Sequence, residues 1–198
     1  MKVIIFSVLN YIVGSIPWAL VIGKVFYNTD VREHGSGNLG ATNAGRVLGK
    51  KVAYIVTVLD ALKGFIMFMI LSKFDYKIAC FTIIFVTIGH CYPLFANFKG
   101  GKAVATSFGI ILAISLSSFK SFLVVFLVPV LIWFLISNIT EYISLASLVA
   151  TFLSVILSTF VCRRYVTVSL LMIWLLIVYK HKENINRLLK GTENKKNY

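Results

Sequence analysis

Runs of about twenty apolar residues recur along almost the whole chain. A helix needs about 20 mostly apolar residues to cross the hydrocarbon layer of a bilayer, and only helices and closed barrels satisfy their backbone hydrogen bonds there. Seven runs qualify, at roughly 3–27, 52–71, 78–98, 103–118, 121–137, 142–161 and 165–179. They predict an all-α, polytopic transmembrane helix bundle of about seven short spans, with residues 1–198 forming a single domain. The fourth and fifth runs are short and separated only by Ser117, Ser118, Phe119 and Lys120. A helical hairpin or a partly re-entrant pair is therefore the alternative there, with five or six spans in all. Hydrophobic residues make up 59% of the chain and charged residues 14%, against about 45–50% and about 25% in a soluble domain. That balance excludes a cytosolic enzyme, a secreted disulfide scaffold and a disordered tail. Cys80, Cys91 and Cys162 are scattered through apolar stretches and read as small buried hydrophobes.

The net charge is +13. In a soluble protein this would suggest nucleic acid. Here the basic residues sit between and after the apolar runs, where they meet anionic headgroups and set orientation; no nucleic-acid partner is expected. The first run is not read as a cleaved signal, because only Lys2 precedes it and it continues through Gly14-Ser15-Ile16-Pro17 to Lys24. Seven spans put the termini on opposite sides. Twelve basic residues flank the spans on the side holding Arg32, Arg46, Lys99, Lys102 and Lys180, and six on the other. The positive-inside rule then predicts an outside N-terminus and a cytoplasmic C-terminus. The polar, glycine-rich segments 28–51, 99–102 and 180–191 all fall on the cytoplasmic face.

Three segments carry the residues of a site. Residues 35–40 match GxGxxG, but no strand or βαβ unit surrounds them, so they are no dinucleotide fingerprint. The run Asp30–Arg46 nevertheless joins Ser36, Asn38, Thr42, Asn43 and Arg46 to several glycines. Glycines let backbone N–H groups approach an anion, and arginine holds a phosphate bidentately. In the second segment Gly100-Gly101 precedes Lys102 at a predicted helix start, where free N–H groups and a partial positive charge favour phosphate. A tight turn flanked by interfacial lysines is the plain alternative. In the third, His181 and Asn184 lie three apart and share a helix face. Glu183 reads as structural, pairing with a basic neighbour, and Lys190, Lys195 and Lys196 as a snorkelling tail.

Asp60 and Lys63 fall inside the second run at i, i+3. Intramembrane charges are costly, so the two are expected to pair and brace the site. His90 reads as a hydrogen-bonded interfacial histidine. GxSxG and HxxxxD are missing, and no carboxylate pair or Cys/His spacing calls for a metal or other cofactor. A small transporter for an organic phosphate would also use intramembrane charges and phosphate loops. Against it, no internal repeat is visible and the polar segments gather at one face.

Taken together, Gly14–Pro17, the run 30–46, Leu59–Gly64, Gly89–Thr106, Tyr142–Ser147 and 181–193 closely resemble the bacterial acyl-phosphate:glycerol-3-phosphate acyltransferases, which are integral to the cell (inner) membrane. The resemblance spans nearly the full chain and is most specific in GSGNLGATNAGR and FKGGK. It implies acyl transfer from acyl phosphate to glycerol 3-phosphate, giving lysophosphatidate, the first committed step of phospholipid synthesis. It implies that Ser36, Arg46, His181 and Asn184 are needed for catalysis. It implies that Gly100, Gly101 and Lys102 bind the glycerol phosphate, with Asn38, Thr42, Asn43 and Ser144 near the same phosphate and Glu183 structural. The lipid bilayer is then a partner, and a soluble acyl-phosphate-producing enzyme a further candidate. Two positions depart from the usual pattern. Ala103 stands where the family has the last glycine of GGKG, which is harmless if the position is helical and strained if its φ is positive. Glu141 replaces a basic or small residue, which weakens the case for an anion contact there.

Overall fold

The computed structural model describes residues 1–196, and all regular structure among them is helical. Helices α1 (Lys2–Gly14) and α2 (Trp18–Tyr27) form the first apolar run. After the glycine-rich loop come α3 (Ala41–Leu48) and the long α4 (Lys50–Ser72). The third run contains α5 (Tyr76–Thr82) and α6 (Ile84–Cys91), and the fourth is α7 (Val104–Ser115). The fifth joins α8 (Phe119–Ser121), a π-helical stretch over Phe122–Leu127 and α9 (Val128–Ile139). Pro129 cannot donate to the carbonyl four residues back, and the helix widens just before it. Then follow α10 (Ile143–Val161) and α11 (Arg164–Lys180), which bends by 62° through His181 into α12 (Lys182–Leu189).

Five segments are long and apolar enough to cross a membrane: Lys2–Tyr27, Lys50–Ser72, Tyr76–Ala96, Phe119–Ile139 and Ile143–Val161. The bent α11–α12 pair makes a sixth. That is the five-or-six count left open above, and the run that falls short is 103–118. Helix α7 has 12 residues there, about 18 Å at 1.5 Å per residue, against a hydrocarbon layer about 30 Å thick. The glycine-rich loop before it and the bend at Ser115–Ser118 after it leave no residues to lengthen it.

The helices alternate in direction. Phe6 packs on Phe74 and Tyr76 on Tyr165, with ring centroids 6.5 Å and 6.1 Å apart. These contacts gather the start of α1, the α4–α5 turn and the start of α11 at one end of the bundle. The polar segments 36–46, 99–102, 141–144 and 181–194 gather away from it. The larger apolar core lies between, around Phe68, Ile83, Ile110, Ile114 and Ile177.

Small residues let the helices that frame the site touch backbone to backbone. A Cβ on Gly109 of α7 would run into the Ala61 carbonyl of α4, and one on Gly64 into the Thr106 carbonyl. Gly14 and Gly89 make the equivalent contacts between α1 and α6. Lipid supplies no hydrophobic drive for helix association, so close packing of this kind carries it. Gly109→Ala is expected to cost about 1–3 kcal/mol, because the obstacle is backbone and cannot swing aside. Thermal unfolding in detergent measures it; an unchanged midpoint would refute the close approach.

Candidate active site

The site begins with two short loops that end in helix starts. In the first loop Gly35 and Gly37 take positive φ of 62° and 67°. The turn they make brings Ser36 back over α3, where Asn43 holds it. Asn43 is buried, and its Oδ1 accepts from the Ser36 amide at 2.8 Å and from the Ser36 hydroxyl at 3.2 Å. Its Nδ2 donates to the carbonyls of Val31 and His34 at 2.9 Å and 3.2 Å. Both amide protons are thus committed. The Asn43 side chain is a strut for Ser36 with no proton to spare, so what it can offer a phosphate is its backbone N–H in the first turn of α3.

The second loop folds against His90. The Gly101 amide donates to the His90 carbonyl at 3.0 Å. A side chain on Gly100 would strike the same carbonyl, and one on Gly101 the imidazole. Only this glycine pair fits, and it delivers Lys102 to the start of α7. Ala103 then adopts φ 59° and ψ 14°, a left-handed conformation that costs an L residue about 1–2 kcal/mol. The strained alternative holds. Ala103→Gly is expected to raise stability by about 0.5–1 kcal/mol, the strain relieved less the extra freedom of glycine in the unfolded chain. A lower melting temperature would contradict it.

Both helix starts open on one cavity of about 390 Å³. The first turns of α3 and α7 line it, so two sets of unbonded N–H groups and two positive dipole ends converge there. Ser36, Asn38, Thr42, Asn43, Arg46, Asp60, Lys102, Ser144, His181 and Asn184 all line it. Phe108, Val130, Trp133 and Phe134 supply an apolar wall. Of the residues expected at the site, Gly100, Gly101, Lys63 and Glu183 stand outside the lining; the first three act from behind it. Arg46 makes no hydrogen bond or ion pair with a described residue, so its guanidinium is free for a ligand.

The third segment is held by a residue that sequence reasoning passed over. Glu193 Oε1 accepts from Ser144 Oγ at 2.8 Å and from Asn184 Nδ2 at 2.5 Å, and Oε2 pairs with Arg187 Nε at 2.7 Å. Asn184 Oδ1 in turn accepts from Lys102 Nζ. Burial would raise the Glu193 carboxyl, but the bonds from Asn184, Ser144 and Arg187 outweigh it and hold the carboxyl below its usual range. Glu183 is exposed and has no such partner among the described residues, so the structural carboxylate is Glu193 and not Glu183. Gly191, at φ 68°, turns the chain back after α12, with the Thr192 amide on the Arg187 carbonyl at 2.8 Å and the Gly191 amide on Leu188 at 3.2 Å. The Gly-Thr-Glu sequence after a helix was the available signal. Glu141 faces away, paired with Lys195 at 2.9 Å.

Asp60 and Lys63 do pair, at 2.9 Å and almost fully buried. Lys63 also donates to the carbonyls of Gly14 and Ile16, at 3.1 Å and 3.2 Å, which the break between α1 and α2 leaves free. Burial pushes the Lys102 amine down to about 8, with nearby Glu193 opposing. Burial and the Lys102 charge push His181 down to about 4, so the imidazole is neutral near pH 7. Its Nδ1 lies 2.8 Å from the Ile177 carbonyl, which can only accept, so Nδ1 carries the proton. The Nε2 lone pair is then the group His181 has to offer a ligand.

A polytopic helical membrane protein with an anion seat beside an apolar wall is the class these features define. The chain matches the profile of the Glycerol-3-phosphate acyltransferase family over residues 4–191, and it belongs to that family. The glycerol-3-phosphate acyltransferase of Listeria monocytogenes (strain EGD-e) is 44% identical, with 98% of this chain and 96% of that one covered. Glycerol-3-phosphate acyltransferase 2 of Bacillus cereus (strain ZK / E33L) is 41% identical over 96% of this chain and 93% of its own. Among solved structures, the integral membrane glycerol 3-phosphate acyltransferase PlsY superposes in its glycerol 3-phosphate form with a TM-score of 0.89, at 39% identity over 98% of this chain and 96% of that one. The lysophosphatidic acid form of PlsY gives a TM-score of 0.87 at 38% identity, covering 98% and 95%.

Proposed function

We propose that the chain transfers an acyl group from acyl phosphate to the 1-hydroxyl of sn-glycerol 3-phosphate, releasing lysophosphatidate and phosphate. The observation that carries this is one cavity in which Arg46, Lys102 and the N-termini of α3 and α7 face an apolar wall. Two phosphates must sit close together in this reaction, and those cations and dipoles offset their repulsion. An acyl phosphate is already an activated mixed anhydride, so the hydroxyl attacks its carbonyl carbon directly, without an acyl-enzyme. The new ester C–O bond forms as the bond from carbonyl carbon to phosphate oxygen breaks. The hydroxyl proton passes to the departing phosphate. A histidine held near 4 is a poor base, which fits a role for His181 Nε2 in orienting the glycerol backbone and not in taking the proton. Ser36 and Lys102 hold the phosphates, and Asn184 and Ser144 hold Lys102 and the acceptor side through Glu193.

The site faces the cytoplasm of a bacterial cell in this proposal, with the N-terminus outside and α7 as a short seventh crossing. The alternation of helix ends and the excess of basic residues beside the cavity support that orientation. A soluble enzyme that makes acyl phosphate is the candidate supplier of the donor.

Purified protein is offered labelled glycerol 3-phosphate with acyl phosphate, acyl-CoA or acyl carrier protein as donor. Lysophosphatidate from acyl phosphate alone is the expected product. Uptake into sealed vesicles without new lipid would instead mark a transporter. The same assay has a predicted pH profile. Lys102 is charged below about 8 and neutral above it, so kcat/KM for glycerol 3-phosphate falls as pH rises past that point. Bound phosphate raises the amine again, which moves the limb of kcat to higher pH. Lys102→Arg should remove the limb, since arginine keeps its charge. A flat kcat/KM profile to pH 10 would contradict the assignment.

A further inference from the structure

His90 closes α6 with 7% of its surface exposed, and it lines the cavity. Its Nδ1 lies 2.8 Å from Lys63 Nζ and 3.3 Å from Asp60 Oδ1. Lys63 is the ammonium partner of Asp60, and an ammonium has protons to give and no lone pair to accept one. A contact of 2.8 Å therefore requires a bare Nδ1. The Asp60 oxygen and Nδ1 are two acceptors around one donor, and the proton of the neutral imidazole is on Nε2. That nitrogen has no hydrogen-bond partner among the described residues. It lies against the bare Cα of Gly101, where a Cβ would overlap it. The absence of a side chain at Gly101 thus lets the Nε2 edge pack directly beside the loop that delivers Lys102.

We infer that His90 is a further binding residue of this site: Lys63 holds its imidazole in the Nε2–H form, and that single donor meets the phosphate seated at Gly100–Gly101–Lys102. The assignment rests on the proposed function, which puts a phosphate in the cavity. It also gives the buried Asp60–Lys63 pair a task beyond bracing. The ion pair fixes which nitrogen of His90 carries the proton, and the carbonyls of Gly14 and Ile16 fix where Lys63 can stand.

Two substitutions separate the two ends of the ring. His90→Gln places an amide N–H near the position of Nε2 but loses the acceptor for Lys63. His90→Asn keeps an acceptor near Nδ1 and has nothing at Nε2. Kinetics with glycerol 3-phosphate are expected to show KM raised about tenfold or more in His90→Asn, with kcat little changed. His90→Gln is expected to stay within about threefold of wild type. A purely structural histidine predicts the reverse order or equal damage, and either result overturns the assignment. The unaltered protein supplies an independent measurement, which decides the matter if a variant fails to fold. In histidine-selective ¹⁵N spectra, His90 should show a protonated Nε2 whose resonance moves when glycerol 3-phosphate is added. A proton on Nδ1, or no movement, overturns it. Failure of the proposed function would show separately, as unaltered protein that makes no lysophosphatidate from acyl phosphate.

Discussion

Arg46→Ala is expected to lower kcat/KM for acyl transfer by about 10²–10³-fold while leaving the melting temperature unchanged. The two halves of that result have different causes. Arg46 has no hydrogen bond or ion pair within the described residues, so the fold loses nothing when the guanidinium goes. In the proposed reaction, what is lost is the planar fork that would meet the charge growing on the departing phosphate. Arg46→Lys restores charge without the fork and should fall between the two. Transfer within about tenfold of wild type in the alanine variant would remove Arg46 from the reacting end of the cavity. A large fall in stability would show that it has a structural partner.

Lys63→Met has the opposite signature. It strands the Asp60 carboxylate, which is 2% exposed, and it orphans the carbonyls of Gly14 and Ile16. Removing one member of a buried pair typically costs about 3–5 kcal/mol. Unfolding in detergent should register that loss whether or not substrate is present. Adding Asp60→Asn should recover part of it, since the stranded charge is gone. Recovery stays incomplete because the broken first span still needs a donor for its free carbonyls. A single variant as stable as wild type would mean that Asp60 is neutral in the fold, and the tautomer assigned to His90 would fall with it.

The sequence was most legible where backbone chemistry leaves a mark. Apolar runs gave the helices because a bilayer tolerates little else. Glycines gave the loops at 35–40 and 100–101 because the chain there turns through left-handed φ or passes too close to His90 for a side chain. Arg46, Lys102, Ser36 and His181, far apart in the chain, line the same cavity. Tertiary bookkeeping was less legible. Asn43 looks like a ligand in a string of small polar residues, yet the fold uses both of its amide protons. Glu183 sits one turn from its supposed neighbours, whereas Glu193 reaches Asn184 and Arg187 only because Gly191 reverses the chain. The glycine two residues before Glu193 is the one mark in the linear pattern that separates the two carboxylates. The fourth run already reads as short, and α7 is shorter still, because the run continues through residues that the fold spends on the turn after Ser115.

The cavity joins a charged floor to a side wall of Phe108, Val130, Trp133 and Phe134. Three of these residues belong to Phe119–Ile139, which is the least covered of the five straight crossing segments, with only 17% of its most apolar stretch buried. A molecule that is ionic at one tip and oily along its length could therefore slide in sideways from the leaflet, while a water-soluble acceptor drops in from above. The product has the same two-part build and would leave by the door through which the donor came. No step would then require hauling a fatty chain through water, and turnover would respond to how freely the surrounding lipids move.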